Sequence, residues 1–189
     1  GNDFCYNVGL PTDPDQAILL AFSGAPKAVD LGMVRDGAGR IEYWDNSLGI
    51  GFDAATVINS RTITRLQGLA MYLVAVIRTI LKDHVAPRMR ITTDTENIDR
   101  ELLMLTMCNG GREGGGFMLA PDARPDDGIL NYVMVEYVSR PMMFRMIPEF
   151  MRGTHARFKE VHLGSFRQLK LVADRPWLIH TDGEVFANA

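Results

Sequence analysis

The sequence predicts a mainly β, α+β domain: an antiparallel β-sandwich with one long helix and one or two short helices packed on it. Three observations carry this expectation. Short apolar or alternating runs, bounded by Gly, Pro, Asn and Asp, recur from residue 29 to the C-terminus. Residues 62–82 repeat their apolar side chains at helical spacing. The 189 residues are 47% apolar and 23% charged, enough for one substantial core.

Thr12-Asp13-Pro14 starts a short helix over residues 15–22, because a capping side chain is followed by Pro in the first turn. Ser23-Gly24-Ala25-Pro26 stops it. Residues 29–35 and 40–44 read as strands joined by the Asp36-Gly37-Ala38-Gly39 turn. Residues 46–54 alternate glycine and are expected to form a bulged strand; a phosphate loop is the other reading of that pattern. Residues 62–82 are the long helix, with Leu66, Leu69, Leu73, Ile77 and Leu81 on its apolar face.

Beyond Pro87 strands are expected at 88–93 and 101–108. The turn Asn109-Gly110, the run Gly114-Gly115-Gly116 and the acidic loop 122–127 follow, and then a strand at 129–138. Ser139-Arg140-Pro141 opens a Met-rich helix over 142–151, which reads as core or, alternatively, as lining an acyl-chain groove or touching a bilayer with Arg140, Arg145 and Arg152 near anionic headgroups. Strands at 161–163, 168–173 and 177–180 complete the series.

A net charge of -3 and the lack of any basic block argue against nucleic-acid binding. Cys5 and Cys108 show no ligand spacing, so a reducing compartment without structural zinc is expected. The longest apolar segment, residues 66–81, falls short of the roughly 20 residues of a membrane span. No serine sits in a nucleophile elbow, and no Walker A loop is present.

Chemistry therefore concentrates in a few oxygen-rich places. His180-Thr181-Asp182-Gly183-Glu184 ends an apolar run. It reads first as an Asp-Gly turn, and alternatively as a strand end that points Asp182 and Glu184 the same way for proton abstraction or metal binding. The loop Asp122-Ala123-Arg124-Pro125-Asp126-Asp127-Gly128 offers clustered oxygens to a hard cation. Taken in order, Gly1-Asn2-Asp3-Phe4, the Asn46–Ala54 stretch (residues 46–54), Asn109-Gly110 with Gly114-Gly115-Gly116, Ala120-Pro121-x-Ala123 with Asp127-Gly128-x-Leu130, and Asp182-Gly183-Glu184 resemble the C-terminal part of the diacylglycerol kinase-like lipid kinases, which include bacterial lipid kinases and sphingosine kinases.

The resemblance covers the whole chain. It implies that residues 1–10 are a remnant of the interdomain, nucleotide-facing loop and that residues 11–189 are the lipid-side β-sandwich. The N-terminal α/β nucleotide domain, with its Gly-Gly-Asp-Gly-Thr loop, would be missing, so these residues alone are expected to be inactive. In the complete protein the γ-phosphoryl group of ATP would pass to the hydroxyl of a diacylglycerol-like lipid, with Mg2+, in phospholipid biosynthesis. Asp182 would be the general base and Glu184 its support. Gly1, Asn2 and Asp3 would face the nucleotide, Asp3 would join the Mg2+ network, and Asp127 would hold a separate structural Mg2+. Asn131 departs from the family, which often has an acid there. The implied partners are a lipid, a membrane surface visited transiently from the cytoplasm and, as an option, a second copy in a homodimer. Two other readings stand beside this one. The first is a non-catalytic lipid- or partner-binding module. The second is an NAD kinase relative, which the Asp-Gly-Glu ending disfavours.

Overall fold

The computed structural model describes residues 2–187. Two helices come first, α1 (Asp3–Asn7) and α2 (Pro14–Ser23). Asp13 caps α2 by accepting from the Gln16 N–H at 2.9 Å, as the Asp-Pro pair predicts. The hairpin β1 (Gly32–Arg35) and β2 (Ile41–Trp44) follows as its own small sheet, its turn closed by the Asp36 carboxylate. Then come β3 (Ser47–Gly51), α3 (Phe52–Ser60), α4 (Gly68–Lys82), β4 (Arg88–Thr93) and the long β5 (Asn97–Cys108). The short pair β6 (Arg112–Glu113) and β7 (Phe117–Met118) precedes β8 (Leu130–Glu136) and α5 (Arg140–Arg152). The chain ends with β9 (Val161–Phe166), β10 (Leu169–Ala173), β11 (Ile179–Thr181) and β12 (Glu184–Ala187).

The fold is mainly antiparallel β, as expected, with α4 and α5 packed against one face of the sheet. Its centre is β5. The first half of β5 pairs β4, which carries β10. The second half lies between β3 and β8, and these lead on to β11–β12 and to β9. One strand thus belongs to two layers.

Side chains on this shared strand alternate between two cores. Leu105 and Met107 enter the sandwich core with Trp44, Ile50, Ile91 and Met134. Met104 and Cys108 face the helices with Val76, Ile80, Met146 and Phe150. Leu102 is in the sandwich, yet Leu103 and Met104 both face the helices. The register shift against β8 falls between Leu102 and Met104, and a bulge is what lets two neighbours share a face. Burial on both faces accounts for the continuous apolar run in the sequence.

Three expectations change. Residues 46–54 are not one bulged strand: the strand ends at Gly51, whose φ of 79° turns the chain into α3. The long helix starts at Gly68 rather than 62, because residues 61–67 cross from α3 to α4. The end of the chain is a hairpin, with β12 beyond the expected last strand.

Candidate functional site

The Asp182-Gly183 turn joins β11 to β12. Both residues have positive φ, 49° and 83°, the signature of a type I′ hairpin turn. Asp182 and Glu184 therefore do not share a strand face. The Asp182 carboxylate folds back under β3. Its Oδ1 accepts the N–H groups of Asn46 and Ser47 at 2.9 Å, and its Oδ2 accepts that of Asp45 at 2.8 Å. Glu184 is exposed and pairs with Arg61 at 2.7 Å. Burial, followed by the Asp182 charge beside it, holds the Asp45 carboxyl above the usual carboxylate range.

Behind this turn lies a buried polar cluster that sequence reasoning did not assemble. Asp53 stands in the first turn of α3, where a helix N-terminus favours an anion. His180 is on β11, Thr106 on β5, Tyr72 on α4 and Glu113 on β6. The His180 Nε2 lies 3.3 Å from Asp53 Oδ2 and 3.6 Å from Glu113 Oε1. The Thr106 hydroxyl donates to Asp53 Oδ2 at 2.6 Å, and the Tyr72 hydroxyl to Oδ1 at 3.0 Å. Room for this comes from Gly49, which sits between Thr106 and His180 in the cross-strand row. A Cβ there would lie 2.2 Å from Asp53 Oδ2 and 2.3 Å from His180 Nε2.

Burial works against the Asp53 anion, but the His180 imidazole and the two hydroxyl donors hold its pKa below the usual range. Burial and the Asp53 charge push Glu113 up to about 8. Burial disfavours charged His180, yet Asp53 and Glu113 outweigh it and raise its pKa to about 9. The Gly183 N–H meets His180 Nδ1 at 3.2 Å, which pulls the other way, toward a ring unprotonated at Nδ1. We take the raised direction as the stronger, since two carboxylates face Nε2 while the Nδ1 contact is long.

Asp53 and Glu113 open onto an apolar cavity of about 80 Å³ between α4, α5 and the sheet. Phe52, Val76, Leu103, Met143, Met146 and Phe150 are among its walls. The Met-rich helix is thus both core and groove, since Met143, Met146 and Phe150 are buried yet line the cavity.

The other expected residues lie elsewhere. Asp3 sits near the cluster on α1, with Oδ1 3.0 Å from Arg112 Nε and Oδ2 accepting the Gly115 N–H at 2.9 Å. The glycine run is needed because Tyr72 and Leu69 of α4 pack against it; a Cβ on Gly114 would come within 2.5 Å of the Tyr72 ring. Asn2 is the exposed residue before α1, and Gly1 lies outside the described residues. Asp127 closes its own turn through the Ile129 N–H at 3.0 Å, beside Asp30, which accepts from Gly128 N–H at 2.7 Å. Asp53, Glu113 and His180 are the one group of three His, Cys, Asp or Glu side chains among the described residues with ligand atoms within 4.8 Å of one another. Titratable residues inside apolar runs, Asp53 in Gly-Phe-Asp-Ala and His180 in Leu-Ile-His, are the signal that could have marked two of the three; Glu113 carries none.

No helix among the described residues is long and apolar enough to cross a membrane. Over 162 residues the chain is 27% identical to a protein named diacylglycerol kinase from Mycobacterium tuberculosis, covering 85% of this chain and 52% of that protein. It is 32% identical over 139 residues to a probable YegS-like lipid kinase of Chromohalobacter salexigens, covering 72% of this chain and 42% of that one. The chain thus spans about half the length of the curated relatives it matches. A crystal structure of a putative diacylglycerol kinase from Bacillus anthracis superimposes with a TM-score of 0.72 over 97% of this chain and 58% of that one, at 20% identity, which shows the shared fold. Residues 46–189 match the family described as the YegS C-terminal NAD kinase beta sandwich-like domain, and the chain belongs to that domain family of the diacylglycerol kinase and YegS-like lipid kinases.

Proposed function

We propose that this chain is the acceptor-side domain of an ATP-dependent lipid kinase, receiving part of the apolar chain of a diacylglycerol-like lipid in its cavity and offering the lipid hydroxyl to Asp182. The observation that carries the reading is the cavity: aliphatic and aromatic walls, with polar groups gathered at one end. That end is tied to the Asp182 turn through His180 and the Gly183 N–H. The names of the relatives support the class of reaction.

Asp182 keeps the means to act as a base. A carboxylate has about four lone-pair directions. Three accept backbone N–H groups, which leaves one on Oδ2 at an exposed turn. The same three bonds fix the carboxylate in place, and phosphoryl transfer rewards fixed geometry. Glu184 is the second carboxylate at this edge.

ATP enters as co-substrate, facing Asn2 and Asp3 at the start of the chain, with its ion Mg2+. Two donor sets suit a hard cation. One is Asp45, whose carboxyl is held high by burial and then by the neighbouring Asp182 charge, a repulsion that a divalent ion relieves. The other is the loop where Asp30 and Asp127 meet around Gly128. Asp3 is already paired with Arg112, so its part is to hold the glycine run against the nucleotide side. When bound, the ion neutralises charge on the transferred phosphoryl group. A lipid substrate also implies transient visits to a membrane surface.

The test is transfer of labelled phosphate from ATP to dioleoylglycerol in mixed micelles by the native full-length protein. Asp182→Asn is expected to lower kcat by about 10²–10⁴-fold while the protein stays folded. An Asp182→Asn enzyme as active as its parent removes Asp182 as the base. The other reading, a lipid- or partner-binding module without catalysis, draws on the backbone bonds of Asp182 and the Arg61 partner of Glu184, both of which serve structure. A native protein that binds dioleoylglycerol and never phosphorylates it would decide for that reading.

A further inference from the structure

The polar end of the cavity raises the question of what Glu113 does there. Glu113 is only 8% exposed and lies in the cavity wall. Its Oε1 faces His180 and the Ser47 side chain lies beside the carboxyl, but its Oε2 is buried without a hydrogen-bond partner. The neighbouring carboxylate differs. Asp53 is met by a tyrosine hydroxyl, a threonine hydroxyl and the imidazole, so its needs are satisfied within the protein. A buried carboxyl oxygen left unpaired beside an apolar cavity costs stability unless something completes it.

Resting on the lipid-kinase reading above, we propose that Glu113 is a specificity-determining residue: its free Oε2 forms a hydrogen bond with an uncharged oxygen group, a hydroxyl or an ester carbonyl, of the amphiphile whose chain fills the cavity.

A divalent metal fits this cluster less well. Coordination through His180 Nε2 would require the ring to give up the proton that Asp53 and Glu113, 3.3 and 3.6 Å away, hold there. An ammonium group is the other rival, since the surroundings are rich in acids. The groups facing Glu113 are Asp53 on α3, His180 on β11, Tyr72 on α4, Cys108 on β5, Asp3 on α1 and Arg112 beside it in the chain. Asp3 is balanced by Arg112, and Asp53 by its hydroxyl donors and His180. Burial and Asp53 leave Glu113 protonated at neutral pH, with a pKa raised to about 8. In that form it is an O–H donor as well as an acceptor, which matches a hydroxyl or a carbonyl. An anionic headgroup would be repelled.

The experiment measures binding of dioleoylglycerol and of stearylamine to the native full-length protein in neutral detergent micelles between pH 6.5 and 9.5. Binding of dioleoylglycerol is expected to weaken by about 10-fold from pH 7 to pH 9, as Glu113 loses its proton. Glu113→Gln, which keeps an uncharged donor and acceptor, is expected to bind dioleoylglycerol within about 3-fold of the parent at pH 7 and to lose most of that pH dependence. Glu113→Leu is expected to bind at least about 10-fold more weakly. If Glu113→Leu does not fold, the pH profile of Glu113→Gln against the parent still decides. Stearylamine binding that outruns dioleoylglycerol and strengthens as the pH rises through 8 would overturn the proposal in favour of a cationic headgroup. So would a Gln variant with the parent's pH profile. Met146→Trp, which fills the cavity, separates the two levels. If it abolishes dioleoylglycerol binding while the Glu113 variants do not alter it, the cavity holds the lipid and Glu113 does not read it. If it leaves binding unchanged, the lipid is seated elsewhere and the underlying reading fails.

Discussion

Gly49 shows how a single missing side chain makes the polar cluster possible. Its place beside Thr106 and His180 is taken by the Asp53 carboxylate. Gly49→Ala is expected to destabilise the protein by about 3 kcal/mol, the upper range for overpacking, because the atoms it meets are buried and cannot retreat. Chemical denaturation checks this: the midpoint should fall with little change in slope. Asp182→Ala acts differently. It removes the acceptor for three backbone N–H groups and leaves alanine at a φ of 49°. A loss of about 2–3 kcal/mol is expected from the orphaned donors and the strained turn, again read from denaturation. The Asp182-Gly183 turn was legible in the sequence, because Asp-Gly between extended runs has a local cause. The Asp53–Glu113–His180 cluster was not, since its members come from α3, β6 and β11 and meet only through strand pairing.

The two faces of β5 do different work. Leu105 is fully buried in the sandwich core, and Leu103 is buried in the cavity wall. Leu105→Ala is expected to cost about 3 kcal/mol and to leave lipid binding alone. Leu103→Ala enlarges an existing cavity and is expected to shift the preferred acyl-chain length, measured by competition among diacylglycerols of graded length. Equal chain-length preference in the two variants would remove the division between faces. Most strands were legible from alternation or apolar runs, and α5 was legible from Ser139-Arg140-Pro141 with its Met and Phe spacing. Helix α3 was hidden because Phe52-Asp53-Ala54-Ala55-Thr56 follows a glycine-rich strand without a side-chain cap, so no local signal marks the change of period. The start of α4 was misplaced because Ile63 and Leu66 continue its apolar pattern into a loop.

Across the molecule, ionisation couples the cluster to stability. Glu113 and His180 are both raised in the folded state, to about 8 and about 9. Each contributes stability that is complete below its unfolded value, about 4.3 for Glu and about 6.5 for His, and fades as pH rises through the folded value. Asp53 is depressed, so its contribution is present above about 4 and fades in acid. The melting temperature is therefore expected to fall by several degrees between pH 6 and pH 9.5. Glu113→Gln should flatten the part below pH 8. Order is also uneven. Helix α2 buries no residue and exposes Ile18, Leu19 and Phe22, whereas β5 is buried on both faces along its second half. Amide exchange should be fast in α2 and limited by global unfolding in β5. The layer sharing of β5 has an optical consequence. The chain contains two tryptophans: Trp44 lies in the sandwich core and Trp177 packs against it, and neither is in the cavity wall. Tryptophan fluorescence is thus blind to direct contact with a lipid in the cavity, and any change in it on lipid binding is relayed through the protein.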